Sequence, residues 1–160
     1  MDLTKKYEVF GDFKSMALLT AGTMDDYNTM TIGWGELGTL WGKPVCTVYV
    51  RPTRYTLEYM DKNDTFTVSF YDSNKEDLVY LGRHSGRDED KVAKTQLTPV
   101  EAGGSVSFEE AWETLVLKKL YRQQMDESAF PADVIEKFYS GEDEHNVHYM
   151  FVGEVVDVIH

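Results

Sequence analysis

The stretch from Pro44 to Met60 constrains the fold of this chain more than any other, because a β-branched run there meets a strand breaker and then turns helical. Val45, Thr47 and Tyr49 favour a pleated, half-buried strand, and Pro52 ends it by withholding an N–H from any ladder. Thr53 is placed to cap a short helix over Arg54–Met60, whose first-turn N–H groups lack partners within the helix. Free amides, the guanidinium groups of Arg51 and Arg54 and the hydroxyls of Thr53 and Thr56 converge within a few residues, which is chemistry suited to a phosphate. A surface loop whose arginines pair with some of the chain's many carboxylates would account for the same residues.

The remaining segments read mostly as strands. Met16–Ala21 is a short apolar run bounded by Gly22, Asp25–Asn28 carries turn chemistry, and Thr29–Trp34 returns as a second strand, so the three predict a hairpin. Thr65–Phe70 alternates strictly, with Phe66, Val68 and Phe70 on one face and hydroxyls on the other. Lys75–Leu81 predicts a short helix ending at Gly82, and Asp88–Thr95 a second, polar one, with the donor-rich loop Arg83–Asp88 between them. Further strands are expected at Val106–Phe108, Thr114–Tyr121 and Tyr149–Ile159, the last with a bulge where adjacent Val155 and Val156 break the alternation. Phe130–Tyr139 predicts one more helix, with Pro131 in its first turn. About six or seven strands with short helices inserted, and no linker or internal repeat, predict one domain over residues 1–160, built as a closed or nearly closed antiparallel barrel.

Charge narrows the possible partners. The net charge is −12, and residues 101–160 carry most of it, with 13 acids against 4 bases. Arg51 and Arg54 therefore stand out against an acidic body, which argues against nucleic acid and for a small anion held locally. The single cysteine, Cys46, lies inside an apolar strand and is expected to be a buried thiol in a reducing compartment. The N-terminal Met1–Tyr7 has no apolar leader core and no stretch approaches the roughly 20 apolar residues of a membrane span, so a cytoplasmic protein with no membrane partner is expected.

Three motifs point to chemistry and then fail in context. Gly33-Trp34-Gly35-Glu36-Leu37-Gly38 matches G-x-G-x-x-G, but Thr39–Pro44 reads as a short loop before another strand, where a dinucleotide site needs a helix. Those glycines better suit close approach of backbone to a flat ring, or relief of a turn crowded by Trp34 and Trp41. His145 and His148 lack the cysteine pair or matched carboxylate that a metal site would bring, so no metal is expected. No G-x-S-x-G is present, and Ser85 has only the adjacent His84 as a nearby base, so no side chain is assigned as nucleophile, general acid or general base. Most aromatic residues read as packing; Trp34 and Tyr55 are the exceptions, each beside a polar turn rich in glycine or threonine.

Leu19-Thr20-Ala21-Gly22, Asn28-Thr29-Met30-Thr31-Ile32-Gly33-Trp34-Gly35, Trp41-Gly42-Lys43-Pro44, Arg51-Pro52-Thr53-Arg54-Tyr55-Thr56 and His84-Ser85-Gly86-Arg87-Asp88, taken in this order and spacing, resemble the flavin reductase family, with the flavoredoxin-like branch nearest. The resemblance spans nearly the whole chain and implies an FMN-binding split β-barrel, mainly β with short helices and Greek-key-like. It also implies FMN held non-covalently at a homodimer interface. By the same resemblance, Asn28, Thr29, Met30, Thr31, Trp34 and Gly35 correspond to the segment along the isoalloxazine and ribityl chain. Arg51, Arg54, Tyr55 and Thr56 correspond to the phosphate-binding turn, and Ser85, Gly86 and Arg87 to a loop that completes the pocket. The implied activity is an oxidoreductase passing electrons from NAD(P)H or a small redox protein through FMN to an acceptor. A non-catalytic flavin-binding or electron-carrier module is the alternative.

Overall fold

The computed structural model describes residue 1, residues 6–14 and residues 16–160. The Met1–Tyr7 stretch read for a leader core therefore lies largely outside the described residues. Two strands, β1 (Ala17–Thr23) and β2 (Asp26–Ile32), form the expected hairpin, in register from Ala17 opposite Ile32 to Thr23 opposite Asp26. The turn is tighter than the sequence suggests: it sits at Met24-Asp25, and Asn28 belongs to β2, opposite Ala21. The expected loop at Thr39–Pro44 is in fact a second hairpin, between β3 (Gly35–Leu40) and β4 (Lys43–Val50). Trp41 and Gly42 both take positive φ, 52° and 71°, which is the geometry of a two-residue hairpin turn. A tryptophan in that first position carries none of the Asn or Asp signal by which such turns are read.

A single helical turn, α1 (Val9–Asp12), precedes the sheet, and helix α2 (Thr56–Lys62) follows β4 and leads into β5 (Thr65–Phe70). It begins two residues later than expected, its N-cap is Tyr55, and the Thr53 hydroxyl accepts from Asn146 Nδ2 at 3.1 Å instead of capping it. Helix α3 (Lys75–Arg83) starts where expected but runs through Gly82 to Arg83, and Asp88–Thr95 forms turns and a single 3-10 turn at Val92–Lys94. A short ribbon, β6 (Pro99–Ala102) with β7 (Ser105–Phe108), precedes the long strands β8 (Glu113–Gln124) and β9 (Tyr149–Ile159). Between those two lies α4 (Ala132–Phe138), with Pro131 at its N-cap. The register between β8 and β9 slips so that Val116 faces Asp157 and Leu117 faces Val155, leaving Val156 as the bulge.

Seven strands make one antiparallel sheet in the order β2-β1-β5-β8-β9-β4-β3. Chain connectivity forces this sheet to curl. Laid flat, its edges would stand about 29 Å apart at ~4.8 Å per strand. Yet the edge strands β2 and β3 are joined only by Gly33-Trp34, which reaches at most about 11 Å. The sheet is therefore a barrel, split between β2 and β3, where no ladder joins the two edges among the described residues. Its interior holds Leu19, Ile32, Val48, Phe66, Val68, Phe70, Leu117 and Phe151, all buried. Each such side chain contributes about 1.5–3 kcal/mol through burial. The opposite face of β5 is buried as well, and its hydroxyls are satisfied there: Thr67 Oγ1 donates to Val106 O at 2.6 Å, and Ser69 pairs with the Tyr71 hydroxyl at 2.9 Å. The β6–β7 ribbon covers that face, while Leu78 and Leu81 of α3 pack with Leu18, Val92, Leu97 and Phe108 in a second, smaller core.

Candidate functional site

A groove runs along the split in the barrel, in three connected lobes. The inner lobe, about 110 Å³, lies between β2, the start of α2 and the loop after α3. It shares Met30 and Arg54 with a middle lobe of about 190 Å³, floored by Met30–Trp34. The middle lobe shares Trp34, Tyr49 and His148 with an outer lobe of about 340 Å³ under α4. Because β2 is an edge strand, alternate residues along it turn N–H and C=O groups away from β1, and among the described residues no further strand receives them. The split in the fold thus supplies a row of backbone donors and acceptors beside a cavity.

The inner lobe is cationic. Arg54, Arg83 and Lys91 line it and no carboxylate does. Lys91 is 5% exposed and donates to Leu81 O at 2.9 Å and His84 O at 3.0 Å, which pins the loop after α3 against the barrel. Burial first, and then the field of Arg54, lower its pKa to about 8, with Glu89 opposing. Asn28 ties the lobe together: its Nδ2 donates to Thr56 Oγ1 at 2.8 Å, leaving the Thr56 O–H available to a ligand. Gly86 sits so close that a Cβ there would lie 2.1 Å from Asn28 Oδ1, so only glycine lets the loop approach. Ser85 Oγ accepts the Arg87 N–H at 3.2 Å and keeps its own proton to donate.

The sequence-derived residues divide into two groups. Asn28, Met30, Arg54, Tyr55, Thr56, Ser85 and Gly86 line the inner lobe, and Thr31 and Trp34 line the middle one. The Thr31 hydroxyl is itself turned to Leu78 O of α3. The others have different surroundings. Thr29 is fully buried, with its hydroxyl on Thr20 Oγ1 and Leu19 O. Gly35 faces Phe13, whose ring would stand 2.4 Å from an added Cβ. Arg51 lines the middle lobe, but its guanidinium donates to Asn146 O and Phe138 O, each at 3.0 Å, and lies 5.1 Å over the Tyr139 ring. Arg87 lies over Tyr55 at 4.7 Å and reaches Glu58 at 3.2 Å, outside the inner lobe.

Sequence reasoning did not single out Lys91 or Tyr49, placed Arg83 in the donor-rich loop without assigning it to the site, and weighed His148 only as a metal ligand. His145 and His148 in fact diverge: His145 is exposed against Glu127, while His148 is 6% exposed with Nδ1 2.7 Å from the Tyr139 hydroxyl. Among the described residues no cluster of three or more His, Cys, Asp or Glu is arranged to hold a metal. Burial, then the fields of Arg51 and Arg54, lower the His148 pKa to about 4 against the opposing pull of Asp143, so the imidazole is neutral at neutral pH. Cys46 is fully buried and unpaired, and burial pushes its thiol well up. No described helix is long and apolar enough to cross a membrane.

Solved structures share this architecture. A flavoredoxin from Methanosarcina acetivorans aligns over 99% of this chain and 75% of its own, at 22% identity and a TM-score of 0.69. An FMN-binding protein from Thermus thermophilus, solved with bound p-hydroxybenzaldehyde, aligns over 99% and 79% at 22% identity and 0.70. The flavoredoxin of Desulfovibrio vulgaris (Miyazaki F) aligns over 99% and 75% at 21% identity and 0.68. At these identities the likeness is one of fold, the split barrel. No curated protein matches the sequence. The model for the flavin reductase like domain matches residues 14–160, and the chain belongs to that family.

Proposed function

We propose that this protein is an FMN-dependent oxidoreductase that takes electrons from NAD(P)H or a reduced redox protein and passes them to an acceptor, with its flavin in the groove along β2. The carboxylate-free inner lobe carries the reading: Arg54, Arg83, Lys91, Thr56 and Ser85 form a donor set suited to one phosphate. Beyond it opens a cleft of about 550 Å³ lined by Asp25, Asp26, Asp88, Glu89 and Asp90. A second phosphate leading that way would meet five carboxylates against the two cations Arg87 and Lys91, which favours FMN over FAD. The names of the neighbours, flavoredoxin and FMN-binding protein, support the same cofactor.

Electron transfer would be the cofactor's own chemistry, and the chain's part is to bind, orient and exclude water. The edge of β2 offers backbone groups to the polar rim of a flat ring, Trp34 and Tyr49 wall its sides, and neutral His148 can hold or release a proton at Nε2. A homodimer with the flavin between subunits, inside the cytoplasm, completes the proposal. The rival electron-carrier role uses the same anchor. Absorption spectra of the purified protein, followed by anaerobic addition of NADH and NADPH, test both points. Flavin bands that bleach with either nucleotide are expected; a bound flavin that neither bleaches removes NAD(P)H and leaves a redox-protein donor or the carrier role, and a colourless protein that takes up no FMN refutes the proposal.

A further inference from the structure

His84 lines the inner lobe, and the end of α3 holds its imidazole there. As the C-cap of that helix it donates its backbone N–H to Tyr80 O at 3.1 Å. Its ring lies flat on the Tyr80 ring, with centroids 3.8 Å apart and planes inclined by 16°. The Tyr80 hydroxyl is fixed in turn by both oxygens of Glu89, at 2.9 and 3.0 Å, and His84 O accepts from Lys91 Nζ at 3.0 Å. His84 Nδ1 stands 2.9 Å from the same Tyr80 carbonyl, and a carbonyl oxygen only accepts, so Nδ1 carries a proton. Nε2 is the nitrogen left for a ligand. The charged side chains lining the lobe with it, Arg54, Arg83 and Lys91, are all cations. A phosphate dianion entering such a lobe can balance one more positive charge, and a proton on Nε2 supplies it. The ring is exposed, so solvent can deliver that proton.

We propose that capture of FMN in the inner lobe is proton-coupled: as the phosphate dianion enters, His84 takes a proton from solvent at Nε2, and the imidazolium donates it in a hydrogen bond to a phosphate oxygen. The proposal rests on the flavin reading for the source of the phosphate, and it adds a dependence of cofactor retention on pH. The sign follows from linkage: a proton taken up on binding makes affinity rise as pH falls through the neutral range.

Riboflavin, which lacks the phosphate, separates this contact from the rest of the seat. The test is fluorescence titration of the full chain, stripped of any bound flavin, with FMN and with riboflavin at pH 6.5 and pH 8. The preference for FMN over riboflavin is expected to be about fivefold greater at pH 6.5, the scale of one partly screened charge pair. In His84→Gln that preference should be nearly flat across the interval, since Lys91 and the phosphate's own titration are common to both proteins, and riboflavin should bind as in wild type. Calorimetry of FMN binding at pH 7.5, in buffers of different ionisation enthalpy, should count about half a proton more taken up by wild type than by His84→Gln. Equal pH dependence in the two proteins, equal proton counts, or riboflavin weakened as much as FMN overturns the proposal. If neither flavin binds, inorganic phosphate is the probe. Phosphate binding that His84→Gln weakens at pH 6.5 and spares at pH 8 upholds the contact while removing the flavin reading, whereas phosphate that does not bind, or binds both proteins alike, overturns the contact too.

Discussion

Lys91 and His148 are both buried cations-in-waiting, yet their charges work in opposite senses. Lys91 is charged below about pH 8 and neutral above it. If its ammonium helps hold the phosphate, its effect on FMN affinity is constant from about pH 7, where the phosphate is a dianion, to about pH 8, and affinity then falls towards the roughly tenfold loss that removing the charge would cause. Lys91→Met should weaken FMN about tenfold at pH 7 and flatten that profile, as read by fluorescence titration. A steep profile that persists in the mutant would assign the titration to another group. For His148 the folded pKa, about 4, lies below the ordinary 6.5, so the unfolded state binds more protons between those values. Stability should therefore fall as pH drops from 6.5 towards 4, by at most about 3 kcal/mol from this residue. Urea unfolding of wild type and His148→Gln at pH 7 and pH 4.5 isolates the effect, since carboxylate titration is common to both. The mutant should lose less stability across that interval, and equal losses would contradict a neutral buried imidazole.

Elements whose role follows from local pattern were legible before any coordinates. The alternation of Thr65–Phe70 gave β5 its two faces, and the adjacent Val155 and Val156 marked the bulge opposite β8. What stayed hidden depends on distant partners. No local signal indicates that Lys91 reaches carbonyls at Leu81 and His84, so a polar segment there reads as a surface helix. β3 was hidden because its two glycines dilute any strand pattern, and its existence follows from pairing with β4. Arg51 is the informative case at the site, since its residue type suits a phosphate, while in the fold its guanidinium braces the insertion between β8 and β9 at Phe138 O and Asn146 O. Arg51→Met should loosen that insertion by freeing two part-buried carbonyls, at about 1 kcal/mol each. Hydrogen exchange over residues 132–146 should accelerate, with FMN affinity reduced less than by Lys91→Met. The reverse order of effects would make Arg51 a phosphate ligand first and a brace second.

Across the whole molecule, one topological fact organises the rest: a two-residue link joins the two edges of a seven-stranded sheet, so the barrel must close nearly completely yet keep a seam. The groove lies at that seam, where the edge of β2 turns backbone groups towards it. Two indoles are exposed on a chain of net charge −12, Trp34 at 48% in the groove and Trp41 at 65% on the turn between β3 and β4. Exposed indoles in the groove and on the turn beyond β3 suit a second copy of the chain, related by two-fold symmetry, that covers both at once. If the flavin is held between subunits, binding and assembly are thermodynamically linked, each strengthening the other. Sedimentation equilibrium with and without FMN should then show a dimer whose dissociation constant falls about tenfold or more on saturation with FMN, and FMN affinity should weaken on dilution through that range. Trp34→Glu, adding a charge to the seam, should weaken dimer and flavin together, whereas Trp41→Glu, at the far end of β3, should affect the dimer alone if Trp41 lies in the interface. A monomer that holds FMN with undiminished affinity at high dilution would place the whole cofactor seat within one chain, and the exposed indoles would need another explanation.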